Sequence, residues 1–233
     1  MSATTYNERR QALETYFERT AFDAWKQLTS DAPVSKIRAT VRAGRNRMRT
    51  LLLSWLPSDL LGCRILDAGC GTGALSCEAA RRGAEIIAVD VSASLIEIAC
   101  QRLPQDVPDG AIDFRVGDML DPDFGDIDHV IAMDSLIHYD TSDIIVSLSK
   151  LAARTSKSIV FTVAPRTPAL TAMHAVGRIF PRSNRAPAIV PVHVEGLRQR
   201  IVVEPTLSDW QVARSAKVTN GFYVSHAVEL VRK

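Results

Sequence analysis

The stretch Ile65-Leu-Asp-Ala-Gly-Cys-Gly-Thr-Gly73 places three alternating glycines directly after an apolar run. The apolar run predicts a buried strand over residues 64–68, and residues 74–82 predict a helix that ends at Gly83. Glycines between a strand and a helix let the backbone approach a ligand closely, and the free N–H groups at the helix start favour an anionic or polar ligand. The stretch therefore predicts a strand, a ligand-binding loop and a helix in succession.

The same alternation continues along the chain. Further strands are predicted over residues 85–91, 112–116, 129–132 and 158–163, with helices from Ser92 or Ser94 to about Arg102 and over residues 140–153. This spacing predicts an α/β fold with a mostly parallel sheet that is covered on both faces. Residues 211–232 form two strand-like runs around Asn220-Gly221, which predicts an antiparallel C-terminal hairpin on that sheet.

Two segments depart from the alternation. Residues 1–60 carry apolar side chains at helical spacing, such as Met48 and Leu52, and are predicted to form a helical arm over the carboxyl edge of the sheet. Residues 165–205 hold six of the 11 prolines and are predicted to form a lid insertion, with a short helix over residues 167–180, within a main domain of residues 61–233.

Composition favours one compact domain with modest appendages. The 233 residues are 46% hydrophobic and 23% charged. No apolar run approaches the roughly 20 residues of a spanning helix, and the N-terminus lacks the pattern of a secretory signal. The four cysteines contain no Cys-x-x-Cys pair and are too few for a disulfide scaffold. We therefore expect a cytoplasmic protein with reduced cysteines.

Charge is distributed unevenly along the chain. Residues 1–64 hold 11 Lys/Arg and 6 Asp/Glu, residues 65–150 hold 5 and 16, and residues 151–233 hold 12 and 4. Such basic flanks occur in proteins that bind nucleic acid or anionic surfaces, although most such side chains only solvate surface helices. Peripheral contact with an anionic membrane is one hypothesis for the densest basic run. That run comprises Lys36, Arg38, Arg42, Arg45, Arg47 and Arg49.

Three aspartates follow three successive predicted strands. Asp67 lies beside the glycine loop, Asp90 ends the second strand and Asp118 follows the third, on the crevice side where open α/β sheets bind ligands. The loop also fits the Gly-x-Gly-x-x-Gly/Ala pattern of dinucleotide enzymes, so a hydride-transfer enzyme is one alternative. A ring of carboxylates nevertheless suits the cationic sulfonium and ammonium groups of S-adenosylmethionine better than a diphosphate.

At these positions the chain resembles the class I S-adenosylmethionine-dependent methyltransferases, which have a Rossmann-like sheet. We expect Asp67 to bind the cationic amino-acid tail, Asp90 to bind the ribose, and Asp118 to accept a hydrogen bond from the adenine amino group. The alternative is that Asp67 only caps the loop and that Asp118 is a solvated turn residue. The cofactor site that the resemblance implies, without a protein-bound metal, comprises Asp67, Gly69, Gly71, Gly73, Asp90, Val91, Asp118, Met119 and Met133.

The segment Ala132-Met-Asp-Ser-Leu-Ile-His-Tyr139 bears on the methyl acceptor. It lacks the Asn/Asp-Pro-Pro-aromatic motif of enzymes that methylate base amines, which weighs against a nucleic-acid substrate. Together with Phe161-Thr-Val-Ala-Pro-Arg166 and residues 173–182, it resembles the magnesium-protoporphyrin IX O-methyltransferase family of bacteriochlorophyll biosynthesis, in its purple bacterial form. The resemblance covers nearly the whole chain. It implies methyl transfer to one propionate carboxylate of magnesium protoporphyrin IX, giving the monomethyl ester and S-adenosylhomocysteine (SAH).

Substrate-side residues are less firmly marked. His138 follows the fourth strand and is predicted to hydrogen-bond the reacting carboxylate, while a structural role in capping the next helix is the alternative. Arg166 and Arg182, on the lid and its approach, are predicted to clamp the second propionate. For any single arginine there, a solvated surface charge is the competing interpretation.

The chain departs from the wider family at two places. Many relatives carry a Tyr where this chain has Leu28-Thr29, and a Gly-His pair where this chain has Gly44-Arg45. If that Tyr positions substrate, its role here is absent or has moved. Tyr16 and Tyr139 are the candidate substitutes, although Tyr139 is equally suited to the core.

Other functions remain open from the sequence. One is a methyltransferase acting on a quinone or another carboxylic acid; another is a non-catalytic protein that binds cofactor and delivers porphyrin. The flat macrocycle is poorly soluble, so direct transfer from the preceding enzyme is expected. The resemblance implies contact with the large porphyrin-binding subunit of magnesium chelatase.

Overall fold

The computed structural model describes residues 3–19, 29, 35–166 and 189–233. Helices α1 (Ala3–Arg19) and α2 (Lys36–Trp55) precede the first strand. Strands and helices then alternate as β1 (Arg64–Ala68), α3 (Ala74–Ala80), β2 (Glu85–Asp90), α4 (Ala93–Gln101), β3 (Ile112–Val116), β4 (Ile127–Ala132), α5 (Thr141–Ala152) and β5 (Thr155–Val163). The chain ends with α6 (Val194–Val203), β6 (Trp210–Asn220) and β7 (Tyr223–Arg232).

The strands form one sheet in the order β3-β2-β1-β4-β5-β7-β6. The first five are parallel to one another, whereas β7 lies between β5 and β6 and is antiparallel to both. The predicted α/β fold with an antiparallel C-terminal hairpin is thus confirmed. The chain reverses its direction of travel across the sheet between β1 and β4, and the carboxyl ends of these strands flank the crevice typical of ligand binding.

Burial on both faces explains why the central strands are almost continuously apolar. Leu66 and Val130 belong to a core on one face of the sheet, while their neighbours Ile65 and Ile131 belong to a second core on the other face. All four are fully buried. Each such side chain contributes roughly 1.5–3 kcal/mol of transfer free energy. Because β1 is central, the residue at its end is carried into the middle of the site.

Local signals placed most element ends to within a few residues. Ser92, one of the two predicted caps, accepts a hydrogen bond from the Leu95 N–H at 3.2 Å and begins α4. Asp140 caps α5 in the same way. Two predicted starts were late, since β4 begins at Ile127 rather than at residue 129 and β5 begins at Thr155 rather than at residue 158. Polar residues at the start of both strands interrupt the apolar runs, so the sequence did not indicate that these positions belong to strands. The register of β4 with β5 shows that they pair.

The two N-terminal helices lie in different places. Helix α1 crosses the carboxyl edge of the sheet, as expected, and contributes Leu13 and Phe17 to a cavity there. Helix α2 also reaches this cavity, which its Arg42, Arg45 and Arg49 line, and it packs against the sheet face and the terminal hairpin. Gly44 permits this contact, because a Cβ there would lie 2.6 Å from the Cβ of Tyr223.

Most of the predicted lid, including its helix over residues 167–180, lies outside the described residues. Its flanks lie side by side: the Arg166 N–H donates to the Val192 carbonyl at 2.8 Å, and the Val192 N–H donates to the Ala164 carbonyl at 2.9 Å. The excursion therefore begins and ends beside β5. Among the described helices, none has the length and apolar character needed to span a membrane.

Replacing Gly44 by Ala should separate α2 from the hairpin. The added methyl group would meet the Tyr223 side chain far inside van der Waals contact, and overpacking of this kind costs about 1–3 kcal/mol of unfolding free energy. Urea denaturation measures the loss. Gly117→Ala is the control, because a Cβ at Gly117 would meet only a Val89 methyl group at 4.0 Å. Equal stabilities for the two variants would contradict the close packing of α2 on the hairpin.

Candidate active site

A cavity of about 310 Å³ opens at the carboxyl edge of the sheet. The loop between β1 and α3 forms its base together with the ends of β2 and β4, while α1 and α2 form its sides. The cavity lies in the crevice where open α/β sheets bind their ligands, and its size is at the lower end for small-molecule sites. It is therefore the candidate active site.

The glycine loop has a backbone that other residues rarely adopt. Gly69, Gly71 and Gly73 have φ of 85°, 56° and 75°, all in the left-handed region. At Gly69 a side chain is also excluded by contact, since a Cβ would lie 2.5 Å from the Cβ of Ser135. The Gly71 N–H donates to Asp90 Oδ2 at 2.9 Å, which ties the loop to the end of β2. The loop thus presents bare backbone to the cavity.

Asp67 carries a carboxyl group into almost complete burial at the base of the cavity. Only 2% of its surface is exposed, and the Ser76 hydroxyl donates to Oδ2 at 2.5 Å. Burial raises its pKa to about 7; the Ser76 hydrogen bond opposes the rise, and the negative charge of Asp90 adds to it. A cation bound in the cavity would favour the ionised form of Asp67.

Asp90 is fixed by backbone donors on both oxygens. The Gly71 N–H donates to Oδ2 and the Ser92 N–H donates to Oδ1 at 3.0 Å. Burial raises the pKa of Asp90 despite these hydrogen bonds. The carboxyl group is therefore held in one orientation while still lining the cavity.

Glu18, which sequence analysis did not identify, joins α1 to this edge. Its Oε1 accepts from the Ser92 hydroxyl at 2.8 Å and the Ser94 N–H at 2.9 Å, and its Oε2 accepts from the Ser94 hydroxyl at 2.6 Å. The Ser94 hydrogen bonds lower the pKa of Glu18. A carboxylate at the start of α4 also interacts favourably with the helix dipole. These contacts hold the end of α1 over the cavity.

Asp118 also contacts α1. Its Oδ1 accepts from the Tyr6 hydroxyl at 2.6 Å and from the Leu120 N–H at 2.9 Å, and Arg10 lies 3.8 Å from Oδ2. Tyr6 stacks on Tyr139 with ring centroids 5.1 Å apart. Asp118 itself is not among the residues that line the cavity. The adenine acceptor expected from the sequence is thus engaged by the N-terminal helix.

His138 ends a short 3-10 turn after β4 and lines the cavity. It is 8% exposed, and its backbone carbonyl accepts a hydrogen bond from the Arg9 side chain at 2.6 Å. Its ring and that of Phe17 form a T-shaped pair with centroids 6.4 Å apart. Tyr139 is buried, and burial raises its pKa. Asp140, not His138, caps α5, which removes the capping alternative considered for His138.

The structure brings most of the predicted residues together. The predicted residues that line the cavity are Asp67, Gly69, Gly71, Asp90, Val91, Met119, Met133, His138 and Tyr139. Gly73 is instead the N-cap of α3. Tyr16 is half-buried against Phe17, and Arg166 is exposed; neither lines the cavity. Arg182 lies outside the described residues. Thr29 does line the cavity.

Arginines of α2 form the wall that sequence analysis missed. Arg42, Arg45 and Arg49 all line the cavity. Their spacing of three and four residues puts them on one helix face, a signal that was present in the basic run but was assigned to solvent or a membrane. Arg45 lies 3.4 Å from Oδ2 of Asp134, a residue that follows β4 and also lines the cavity.

No grouping of three or more His, Cys, Asp or Glu side chains suited to a metal ion occurs in the described ranges. The cavity therefore offers two kinds of charge: buried carboxyl groups at the sheet edge and guanidinium groups on α2. Such a site is suited to hold a cationic ligand next to an anionic one.

The sequence is similar to those of known methyltransferases. Residues 132–232 match the family profile described as Magnesium-protoporphyrin IX methyltransferase C-terminus, and residues 65–157 match one described as Methyltransferase domain. Magnesium-protoporphyrin O-methyltransferase of Rhodobacter capsulatus is 50% identical over 225 residues, which are 96% of this chain and 97% of that protein. A ubiquinone biosynthesis O-methyltransferase of Xanthomonas oryzae pv. oryzae is 36% identical over 135 residues, 54% of this chain and 55% of that protein.

Comparison of folds agrees. The crystal structure of magnesium protoporphyrin IX methyltransferase from Synechocystis PCC 6803 with bound SAH matches with a TM-score of 0.83 at 27% sequence identity. The match covers 96% of this chain and 99% of that chain. Similarity to the two porphyrin enzymes thus extends over nearly the whole chain, whereas similarity to the quinone enzyme covers about half.

Asp67→Asn should change how stability depends on pH. Because the pKa is raised to about 7 from an ordinary 3.8, the folded protein retains a proton that the unfolded chain has lost, so the free energy of unfolding falls as pH rises between these values. Asp67→Asn has no carboxyl group to titrate and therefore lacks this pH-dependent loss of stability. Its stability relative to the unsubstituted protein should therefore rise by about 2–3 kcal/mol between pH 5 and pH 8.

Urea denaturation without ligand at several pH values measures this difference. Ser76→Ala is the matched variant, since it removes the hydrogen bond that lowers the Asp67 pKa and should extend the loss of stability to higher pH. Parallel pH profiles for Asp67→Asn and the unsubstituted protein would show that Asp67 is not a buried, proton-retaining group.

Proposed function

Because this chain belongs to the magnesium-protoporphyrin O-methyltransferase family, we propose that it transfers the methyl group of S-adenosylmethionine to a propionate carboxylate of magnesium protoporphyrin IX. The products are the monomethyl ester and SAH. The observation that carries this proposal is 50% identity along nearly the whole chain to an enzyme of that name.

The sheet edge fits S-adenosylmethionine. The bound cofactor supplies a methyl group on a cationic sulfonium, and its amino-acid tail adds an ammonium group. Asp67 meets the requirement of a buried carboxyl group whose ionised form a nearby cation stabilises. Asp90 presents an oriented carboxyl group suited to ribose hydroxyls, and the left-handed glycines leave room for close approach to the backbone.

Apolar side chains would hold the adenine. Val91 and Met119 line the cavity beyond Asp90, and Met133 lines it at the end of β4. We assign the exocyclic amino group to Asp118, as the sequence suggested. Since the Tyr6 hydroxyl already donates to Oδ1, adenine recognition by Asp118 requires that this contact be shared or exchanged.

The substrate carboxylate needs no general base. A propionate titrates near pH 4–5, like a Glu side chain, so it is ionised at neutral pH. The protein's contribution is to align the carboxylate with the methyl group and to exclude water, and alignment alone supplies on the order of 7–11 kcal/mol. Tyr6, Leu13 and Phe17 of α1 cover the cavity with largely apolar surface. This surface would exclude water where the carboxylate approaches the sulfonium.

His138 is the residue that we assign to the reacting carboxylate. It lies on the cavity wall just after β4, and both its backbone and its ring are held by α1, through Arg9 and Phe17. A ring N–H that donates to the carboxylate oxygen would fix its orientation without removing a proton. Ligation of the porphyrin magnesium by His138 is disfavoured, because Mg²⁺ prefers oxygen ligands.

Two partners extend the proposal. Delivery by the large subunit of magnesium chelatase would spare a poorly soluble macrocycle an aqueous step. The other arginines of the basic run line the cavity. Peripheral membrane contact would therefore depend on the exposed residues Lys36, Arg38 and Arg47. Both proposals are tested by co-sedimentation, with purified chelatase subunit or with vesicles containing anionic lipid.

Incubation with S-adenosylmethionine and magnesium protoporphyrin IX, followed by separation of the pigments, tests the function. We expect the monomethyl ester and an equal amount of SAH. Porphyrin bound without any ester would favour a carrier instead, and turnover of a quinone but not of the porphyrin would favour the second candidate methyltransferase. Neither a carrier nor a dehydrogenase would consume S-adenosylmethionine.

His138→Ala should lower kcat by about 10- to 100-fold, because a misoriented carboxylate loses alignment with the methyl group. SAH affinity, measured by calorimetry, should stay unchanged. Asp90→Ala is the contrasting variant: it should weaken SAH binding and leave porphyrin binding, followed by visible absorption, nearly intact. Unchanged turnover in His138→Ala would remove His138 from the mechanism, and loss of both ligands in Asp90→Ala would indicate misfolding.

A further inference from the structure

The lining of the cavity has carboxyl groups in one part and guanidinium groups in another. Asp67 and Asp90 lie at the sheet edge, and the α2 arginine face, defined as Arg42, Arg45 and Arg49, contributes the guanidinium groups. Positions three and four residues apart lie on the same side of a helix, so the three guanidinium groups converge on one region. The methyl donor accounts for the carboxyl groups. Nothing in the cofactor accounts for three arginines.

The position of α2 is fixed by the terminal hairpin. Gly44 packs directly on Tyr223, and the Asn220 side-chain amide donates to the Thr40 carbonyl at 2.7 Å. Both contacts come from the turn region that joins β6 and β7. The arginine face is therefore held by rigid elements, which is the requirement for precise ligand geometry.

Asp134 orients the central arginine. Its φ of 58° is the one left-handed value among the non-glycine residues of the described chain. The backbone is held by a 2.7 Å hydrogen bond from the Asp134 N–H to the Thr162 hydroxyl, and the Tyr223 hydroxyl donates to Oδ1 at 3.0 Å. Oδ2 lies 3.4 Å from Arg45. Backbone strain of this kind persists where surrounding contacts over-determine it, commonly at functional sites.

Guanidinium groups are the main charged groups on this wall. Three of them line the cavity, and the Asp134 carboxylate, which also lines it, lies within salt-bridge distance of Arg45. Burial lowers the pKa of Arg49; Glu78 opposes the effect and the positive charge of Arg45 adds to it. Guanidinium forks match carboxylates in geometry, so a wall of three arginines suits a ligand that carries carboxylate groups.

We propose that the α2 arginine face binds the two propionate carboxylates of the porphyrin substrate, with Asp134 and Tyr223 as positioning residues for Arg45. The inference rests on the proposed function, and it places the carboxylate clamp on α2 rather than at Arg166. Methyl transfer forms one O–C bond and breaks the S–C bond, so a carboxylate charge and the sulfonium charge disappear together. The product ester therefore binds the arginine face less tightly than the diacid, which promotes release and disfavours a second methylation.

A cycle with changes on both ligand and protein tests this. Magnesium protoporphyrin IX and its dimethyl ester are titrated into the SAH-bound protein and followed by visible absorption. The unsubstituted protein should bind the diacid at least about 100-fold more tightly than the diester, and Arg42→Gln, Arg45→Gln or Arg49→Gln should each reduce this ratio by about 10-fold. Diester affinity and SAH affinity should be unchanged, and KM for the diacid should rise.

Arg47→Gln is the matched control, because Arg47 lies on the same helix but is exposed and does not line the cavity. It should leave the ratio unchanged. Tyr223→Phe, which removes the hydroxyl that holds Asp134, should lower the ratio by a smaller factor, and this selective readout separates positioning from general destabilisation. Arg45→Lys, which keeps the charge but not the fork, should fall between Arg45→Gln and the unsubstituted protein.

Salt gives a test that needs no variant. Raising KCl should weaken diacid binding by the unsubstituted protein and leave diester binding nearly constant. Equal diacid-to-diester ratios in the unsubstituted protein and in all three glutamine variants, together with normal ester formation, would overturn the inference while the proposed function stands. Absence of both porphyrin binding and ester formation would instead overturn the function, and the inference with it.

Discussion

The buried carboxyl group of Asp67 is the constraint around which the site is built. Because β1 is central and covered on both faces, the side chain at its end enters the cavity nearly without solvent, next to the negative charge of Asp90. Removing a carboxylate from water is unfavourable, and a single hydroxyl of Ser76 offsets only part of that cost. The ligand-free protein thus carries a destabilising group that a bound cation relieves, which is how a fold can store affinity for a cationic cofactor.

Electrostatic separation follows from the same geometry. The sheet edge can hold only what fits the glycine loop and its carboxyl groups, whereas the arginines approach from α2, a helix that the hairpin positions. Under the proposed function, the cationic donor would bind at the sheet edge and the anionic acceptor at the arginines. Reaction then neutralises both charges, so a site poor in water favours the transition state over the separated ions.

Helix α1 completes the enclosure through contacts with three parts of the site. Glu18 binds the start of α4, Tyr6 binds Asp118, and Arg9 binds the carbonyl of His138. Besides these polar contacts, α1 buries Tyr6 and Leu13 in the hydrophobic core, and Tyr6 stacks on Tyr139. The expected adenine acceptor and the expected catalytic histidine both depend on this helix for their orientation.

The sheet, the glycine loop and several cavity residues at strand ends are predictable from the sequence. Local periodicity and the rule that parallel strands end at one edge place Asp67, Asp90 and His138 at the crevice, whereas Met133 came from the resemblance to class I methyltransferases. Tertiary structure alone decided the insertion of β7 between β5 and β6, the engagement of Asp118 by Tyr6 and the strained backbone of Asp134. The Tyr6–Asp118 contact joins residues 112 positions apart, and the Tyr223–Asp134 contact joins residues 89 positions apart. Local sequence patterns do not specify such pairings, because the pattern of each segment is the same whichever distant residue it contacts in the fold.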